Sequence, residues 1–523
     1  MRTLISNPTI VNNGEQFQGS IVVNNGKIVE ILRGDELPRA ECDEIIEATG
    51  LYLIPGVIDD HVHFREPGLT HKATIATESR AAAAGGVTSF MEMPNTSPQT
   101  TTIEALKEKF RIAANDSVIN YSFFFGATNS NVADFAKLNP KTVCGIKLFM
   151  GSSTGNMLVD KRNELEKIFE EANRLDMPVA VHCEDSAIIA ANSAAIKERE
   201  GDDPDVKFHP AIRSEEACYQ STASAVELAK RFGTRLHVMH ISTAKELELL
   251  TDGNVEGKRI TAEVTPAHLT FCDADYSTLG TRIKCNPAIK SADDRAALRR
   301  AVNEGKVDLI GTDHAPHLPE DKKGGALKAA SGMPSIQFSL LAMLDMVDKK
   351  EMSIETLVEK MCHAPAKIFN ISKRGYIEKG YNADFVLLSP YRPHTITAAD
   401  IIYRLLPTLL KEKKVFIAES PLFEITTKDE TFFAYDEFEK AEILKKLEGK
   451  KYTLQRSKGL GENEPDMMWQ TTMNPATRRL ISVEPADVER TEYMFDVLMG
   501  DNLAERKVFI AEHGSEYAKD ADI

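Results

Sequence analysis

The stretch GVIDDHVHFREPG, residues 56–68, sets His61 and His63 one residue apart at the end of an apolar run, with Arg65 two places further on. On a strand, residues i and i+2 share a face, so both imidazoles can aim at one point. Alone, the pair reads equally well as a metal claw or as two hydrogen-bonded loop histidines. Further candidates change the balance: His182 in VHCED, His240 in VMHIS and Asp313 in GTDHAPH each follow an apolar, β-branched run. Together these five side chains would make a nitrogen and oxygen metal site drawn from four strands. Imidazole with carboxylate suits Zn²⁺, and no paired thiolates stand nearby to suggest a structural zinc. The planar fork of Arg65 matches a carboxylate bidentately, although a surface salt bridge is its ordinary alternative.

Such a site needs a scaffold that brings distant segments to one place. Eight strand-like runs can be read: 57–63, 88–95, 121–128, 145–150, 178–185, 236–242, 259–268 and 307–316. Helix candidates lie between them, among them TTIEALKEKFRIAA with a Thr101/Glu104 capping box and SADDRAALRRAVNEG with Ser291 as N-cap. Eight such units predict an α/β fold, a (β/α)8 TIM barrel over residues 53–370, whose chemistry belongs at the C-terminal strand ends. Of 13 histidines, seven (His61, His63, His182, His240, His268, His314, His317) fall at or just past a strand end. Residues 1–52 read as a small β unit with Asn-Gly turns at 13–14 and 25–26, rejoined by 371–392 to form a β-sandwich-like domain.

Composition narrows the partners. Of 523 residues, 63 are Lys or Arg and 79 Asp or Glu, a formal net charge of -16 that repels nucleic acid and anionic membranes. A small-molecule substrate is therefore expected. The seven cysteines are scattered with no Cys-x-x-Cys, and no apolar run approaches the ~20 residues of a membrane span. A cytoplasmic protein is the reading, with a homodimer left open.

Five motifs, HVHFREPG, GIKLFMGSSTG, VHCED, HVMHIST and GTDHAPH, resemble in order and spacing the cyclic-amidohydrolase branch of the amidohydrolase superfamily, most closely the dihydroorotases. The resemblance covers about residues 1–390. It implies a binuclear zinc centre, with His61, His63 and Asp313 on one ion and His182 and His240 on the other. It also implies a bridge between them, assigned to Lys147 in GIKLFM as a carboxylated lysine. A desolvated lysine has a depressed pKa, and its neutral amine can take up CO₂; a buried lysine paired with a carboxylate is the plain alternative. The implied reaction is reversible hydrolysis of the cyclic amide of dihydroorotate to N-carbamoyl-aspartate, a step of pyrimidine biosynthesis, with Asp313 as base and then acid. Arg65, Asn95, Asn286 and His317 are the implied substrate contacts. His237, His268 and His314 are expected to orient other groups, and the Gly332-Met333-Pro334 turn to line the pocket. The competing readings are a hydantoinase or allantoinase, a catalytically dead scaffold, and a topoisomerase fragment.

From about residue 399 to 523 the chain instead resembles the C-terminal part of a bacterial type II topoisomerase B subunit, carried by YRLLPTLLKEKKVFIAESPLFEI, QRSKGLGENEPDMMWQTTMNPATRRLISV and MFDVLMGDNLAERKVFIAEHG. The metal-binding acids of that family have no match here. Residues 401–523 hold 18 Lys and Arg against 24 Asp and Glu, so DNA binding is not expected. The Gly459/Gly461 loop reads as a turn rather than a phosphate cradle. The small β domain lacks the last part that dihydroorotases have, so the chain reads as a fusion of two pieces, each cut inside a domain.

Overall fold

The Asn-Gly pairs do what their backbone freedom allows. Asn13 and Gly14 take φ of 52° and 73°, Asn25 and Gly26 φ of 49° and 71°, which is the left-handed pairing of a tight hairpin. These turns join β2 (Thr9–Asn12) to β3 (Glu15–Asn24) and β3 to β4 (Lys27–Arg33), both antiparallel. In this computed structural model, which describes residues 1–151, 157–159, 161–390, 416–419, 421–428, 430–456, 469, 471, 474–475 and 477–482, β1 (Arg2–Ser6), β5 (Glu44–Glu47) and β6 (Tyr52–Pro55) complete the N-terminal part of a seven-stranded sheet. Its seventh strand, β15 (Phe385–Leu388), follows the barrel in the chain and pairs antiparallel with β6. Ile5, Ile10, Ile21, Ile28, Leu53 and Ile377 form its buried core.

From β6 the chain enters the barrel. Its strands are β7 (Val57–Val62), β8 (Val87–Glu92), β9 (Asn120–Gly126), β10 (Val143–Phe149), β11 (Val179–His182), β12 (Leu236–Val238), β13 (Ile260–Val264) and β14 (Leu309–Ile310). They pair in sequence order, every pair parallel. Closure comes just past β14: the His63 N–H donates to the His314 carbonyl at 2.7 Å and the His314 N–H to the His61 carbonyl at 3.3 Å. Strands enclosed on both faces carry few polar residues, and all seven residues of β10 are buried.

Helix ends follow side-chain chemistry. Ser291 caps Ala292–Glu304 with a reciprocal Asp294 box, and Gly305 ends it in the left-handed region. The expected Thr101/Glu104 box does not form. Thr102 is the cap of Ile103–Asp116, because its extended backbone puts the hydroxyl within reach of the Ala105 N–H, and Glu104 then stands too early to reciprocate.

The chain divides into two compact units, Met1–Arg392 and Pro393–Ile523. In the second, β16 (Phe416–Glu419) pairs antiparallel with Arg479–Ser482, and β17 (Phe423–Thr427) lies between β18 (Thr431–Ala434) and β19 (Tyr452–Arg456). Phe423, Ile425, Ala434 and Leu447 are buried there, and Asp436 caps the helix Glu437–Lys446. The helical stretch read over 401–414, the Gly459/Gly461 loop and the final motif from 494 onward lie outside the described residues. Among the described residues no helix is long and apolar enough to cross a membrane.

Candidate metal centre

At the C-terminal ends of the strands the backbone turns abruptly. Arg65, His240 and Asp313 take φ of 69°, 40° and 47°, a region that side-chain-bearing residues seldom occupy and that is held only where surrounding structure enforces it. The turn at Asp313 brings its Oδ1 to 3.1 Å from His63 Nε2 and 3.3 Å from His61 Nε2. These three groups present ligand atoms all within 4.8 Å of one another. The opposite ring nitrogens are occupied: His61 Nδ1 meets Glu263 Oε1 at 2.5 Å, and His63 Nδ1 meets Asn95 Oδ1 at 2.7 Å. An acceptor behind each ring takes the Nδ1 proton and leaves the Nε2 lone pair facing inward, the usual support of a metal-bound histidine.

Lys147 lies in β10, two residues before its end. Its amine donates to Met239 Sδ at 2.6 Å and stands 5.0 Å from the centre of the Phe149 ring. Burial pulls its pKa down to about 8, against the attraction of Glu263 and Asp313. A thioether is a poor partner for an ammonium, so the pocket makes the neutral amine far more accessible than it is in water. His182, at the end of β11, is held from behind by Glu184 at 2.8 Å, to which Arg213 also donates. Its Nδ1 lies 2.9 Å from His240 Nε2, and His240 Nδ1, fully buried, has no hydrogen-bond partner. Burial raises the Glu184 carboxyl, but Arg213 and His182 outweigh it and hold the group down at about 2.

All ten residues singled out in the sequence line one cavity of about 600 Å³: His61, His63, Arg65, Asn95, Lys147, His182, His240, Asn286, Asp313 and His317. The donor set fits divalent cations. Imidazole lone pairs converge with a half-buried carboxylate, one histidine nitrogen is orphaned, and a desolvated amine lines the same cavity. Burial raises the Asp313 pKa, but His61 and His63 outweigh it and hold the group down at about 2.

The wall beyond these donors is basic. Arg65 contacts His317 Nε2 at 3.1 Å and donates from Nε to the Pro316 carbonyl at 3.3 Å. His317 donates from Nε2 to the Ser331 carbonyl at 3.0 Å and accepts from Lys72 at Nδ1 at 3.1 Å, which fixes its tautomer. Burial first, then Arg65 and Lys72, hold this imidazole down to about 4. Asn286 accepts from His209 at 3.1 Å, so, as at Asn95, its carbonyl is already engaged and its NH₂ group remains for other contacts. The Gly332 turn does not line the cavity. It backs onto Ala315, and Ser331 supplies that wall. His237, His268 and His314 bond to Thr261, Thr265 and Glu78 respectively.

Glu263 and Glu184 were missed in the sequence. Each sits inside or beside an apolar strand, TAEV and VHCED, and a carboxylate in such a run was the available signal.

Comparison with known proteins agrees with this geometry. Residues 52–427 match the amidohydrolase family, and residues 449–511 match the DNA gyrase B subunit carboxyl terminus. A dihydroorotase of Methanosphaera stadtmanae is 33% identical over 71% of this chain and 83% of its own length. One of Anoxybacillus flavithermus is 33% identical over 76% and 91%. The solved L-hydantoinase (dihydropyrimidinase) of Arthrobacter aurescens superposes with a TM-score of 0.71 at 30% identity, covering 76% of this chain and 89% of that one. The chain belongs to the amidohydrolase family, as a cyclic amidohydrolase of its dihydroorotase and hydantoinase branch.

Proposed function

We propose that the chain is a dihydroorotase, opening the cyclic amide of dihydroorotate to N-carbamoyl-aspartate. The observation that carries this reading is Arg65: buried at the cavity wall two residues beyond His63, beside Lys72, it offers a guanidinium where a ring-borne carboxylate would lie. His61, His63 and Asp313 would hold one zinc ion, His182 and His240 a second, and carboxylated Lys147 would join them. Such a pair supplies Lewis acidity to a carbonyl and acidity to a water. Asp313 then takes the proton from the attacking water and returns it to the departing amide nitrogen, one carboxylate serving twice. Glu263 and Asn95 keep the His61 and His63 rings in the tautomer this needs. The NH₂ groups of Asn95 and Asn286 and the His317 ring position the imide edge.

The likeness to an L-hydantoinase favours a second reading, hydrolysis of uncharged hydantoin rings. Turnover of both ring types by the zinc-supplemented full chain and its Arg65→Ala variant separates the two. For a dihydroorotase, kcat/KM for dihydroorotate falls by roughly 10²-fold in the variant, the scale of a lost charge-assisted contact, while hydantoin turnover stays low in both. Turnover of hydantoin above that of dihydroorotate, unchanged in the variant, would sink the proposal.

A further inference from the structure

Deeper in the barrel than the mouth cavity lies a second group of ligand-type side chains. Asp60, His237 and Glu263 are all fully buried, with ligand atoms within 4.8 Å of one another. His237 Nε2 stands 3.4 Å from Asp60 Oδ2 and 3.4 Å from Glu263 Oε2. That is longer than the ~2.7–2.9 Å of a charge-assisted hydrogen bond. It is the spacing of two donors on one ion, since bonds of about 2.0–2.2 Å in a tetrahedron set donors about 3.3–3.6 Å apart.

The hydrogen bonds around the cluster fix its polarity. The Thr261 hydroxyl donates to the Leu236 carbonyl at 3.3 Å, so its lone pair accepts from His237 Nδ1 at 2.9 Å. His237 Nε2 is thereby turned toward the two carboxylates, 3.4 Å from one oxygen of each. Asp60 makes no hydrogen bond from either oxygen. A buried carboxylate left so is strongly unfavourable without a compensating cation. Space exists for one. A side chain at Gly311 would place its Cβ 2.7 Å from Asp60 Oδ1 and 3.0 Å from Glu263 Oε2, so glycine keeps that volume open. His237 and Thr261 also border a separate cavity of about 370 Å³ with Pro178, Arg235 and Arg259, at the N-terminal ends of β11, β12 and β13.

We propose that Asp60, His237 and Glu263 form an inner divalent-cation site, taking an ion of the zinc or manganese class, reached from the N-terminal face of the barrel. The inference does not depend on the reading of the mouth. Glu263 would serve both places, one oxygen on the inner ion and the other on His61 Nδ1.

Diffraction from the full chain grown with Zn²⁺, measured at the zinc edge, tests this directly. An anomalous peak bounded by Asp60, His237 and Glu263 is expected, together with a metal content one ion per chain lower in Asp60→Asn than in the unaltered protein. No peak there would overturn the site and leave His237 as an imidazolium between two carboxylates; that map needs no variant to fold. Peaks at the mouth without an inner one would overturn this inference alone. An inner peak with none at the mouth would overturn the binuclear reading and leave this site standing. His182→Asn sharpens the division, since it removes a mouth donor and should leave the inner peak in place.

Discussion

The same left-handed backbone occurs in two regions of this molecule with opposite occupants. In the N-terminal sheet it falls on Asn7, Asn13 and Asn25, residues that tolerate it cheaply and serve only to turn the chain. At the barrel mouth it falls on Arg65, His240 and Asp313, of which Arg65 tolerates it least, and all three carry the candidate chemistry. Where turning is the whole task, the residue type suits the backbone. Where a functional group must be aimed, the backbone is bent to suit the group, and the surrounding barrel holds the strain.

The sharpest way to break this contrast is to keep the turn and remove the chemistry. Asp313→Asn preserves a residue tolerant of positive φ, so circular dichroism and unfolding should stay close to the parent while kcat falls by ~10³–10⁴-fold, the upper range for losing a general acid–base group. A globally unfolded variant would show that Asp313 acts in folding instead.

Lys147 tests the opposite sign. With its folded pKa about 8 against an ordinary 10.5, burying the amine disfavours the folded state below pH 8, and the penalty fades as pH rises toward 10.5. In metal-free protein at pH 7, Lys147→Met should raise unfolding stability by ~3 kcal/mol, read by urea titration, while abolishing turnover. Lower stability in that variant would contradict the desolvated amine.

A pH series separates the regions next. Burial holds His268 down to about 4. Its folded pKa lies below the ordinary 6.5, so the unfolded chain takes the proton first; stability is complete above pH 6.5 and drains away as pH falls toward 4. Between pH 7 and 5 this imidazole alone should remove about 2 kcal/mol, and His268→Gln should flatten that slope. The sheet strands up to Pro55 contain no histidine. Hydrogen exchange at pH 5 should therefore loosen the barrel mouth before the hairpins.

The smallest effect belongs to the sheet turns. Asn25→Gly should shift stability by no more than ~0.5 kcal/mol, while Asn25→Val, which resists positive φ, should cost ~1–2 kcal/mol. Equal effects would erase the distinction between the regions.

What was legible in the sequence follows the same divide. Alternation, Asn-Gly turns and eight apolar runs are local signals, and each produced the expected strand or hairpin. His61 and His63 were legible because their spacing is local too, and His182, His240 and Asp313 because each follows a strand. The partners behind the rings were not. Glu263 meets His61 from 202 positions away in the chain, and Glu184 depends on Arg213 from another segment, so neither relation has a period or spacing to read. Asn95 was read as a substrate contact, but its carbonyl supports His63. One-residue cap placement, Thr102 rather than Thr101, depended on backbone angles that sequence does not fix.

The seam that closes the barrel also sets when the candidate ligands can first meet during synthesis. Thr312 bonds to the carbonyl of His61, 251 positions earlier, and the next residues exchange backbone bonds with His61 and His63. A nascent chain emerging from the ribosome holds the paired histidines long before their carboxylate partner exists, and no shorter stretch can assemble the first ligand set. The candidate ligand set at the mouth is thus complete only once the last strand has been made.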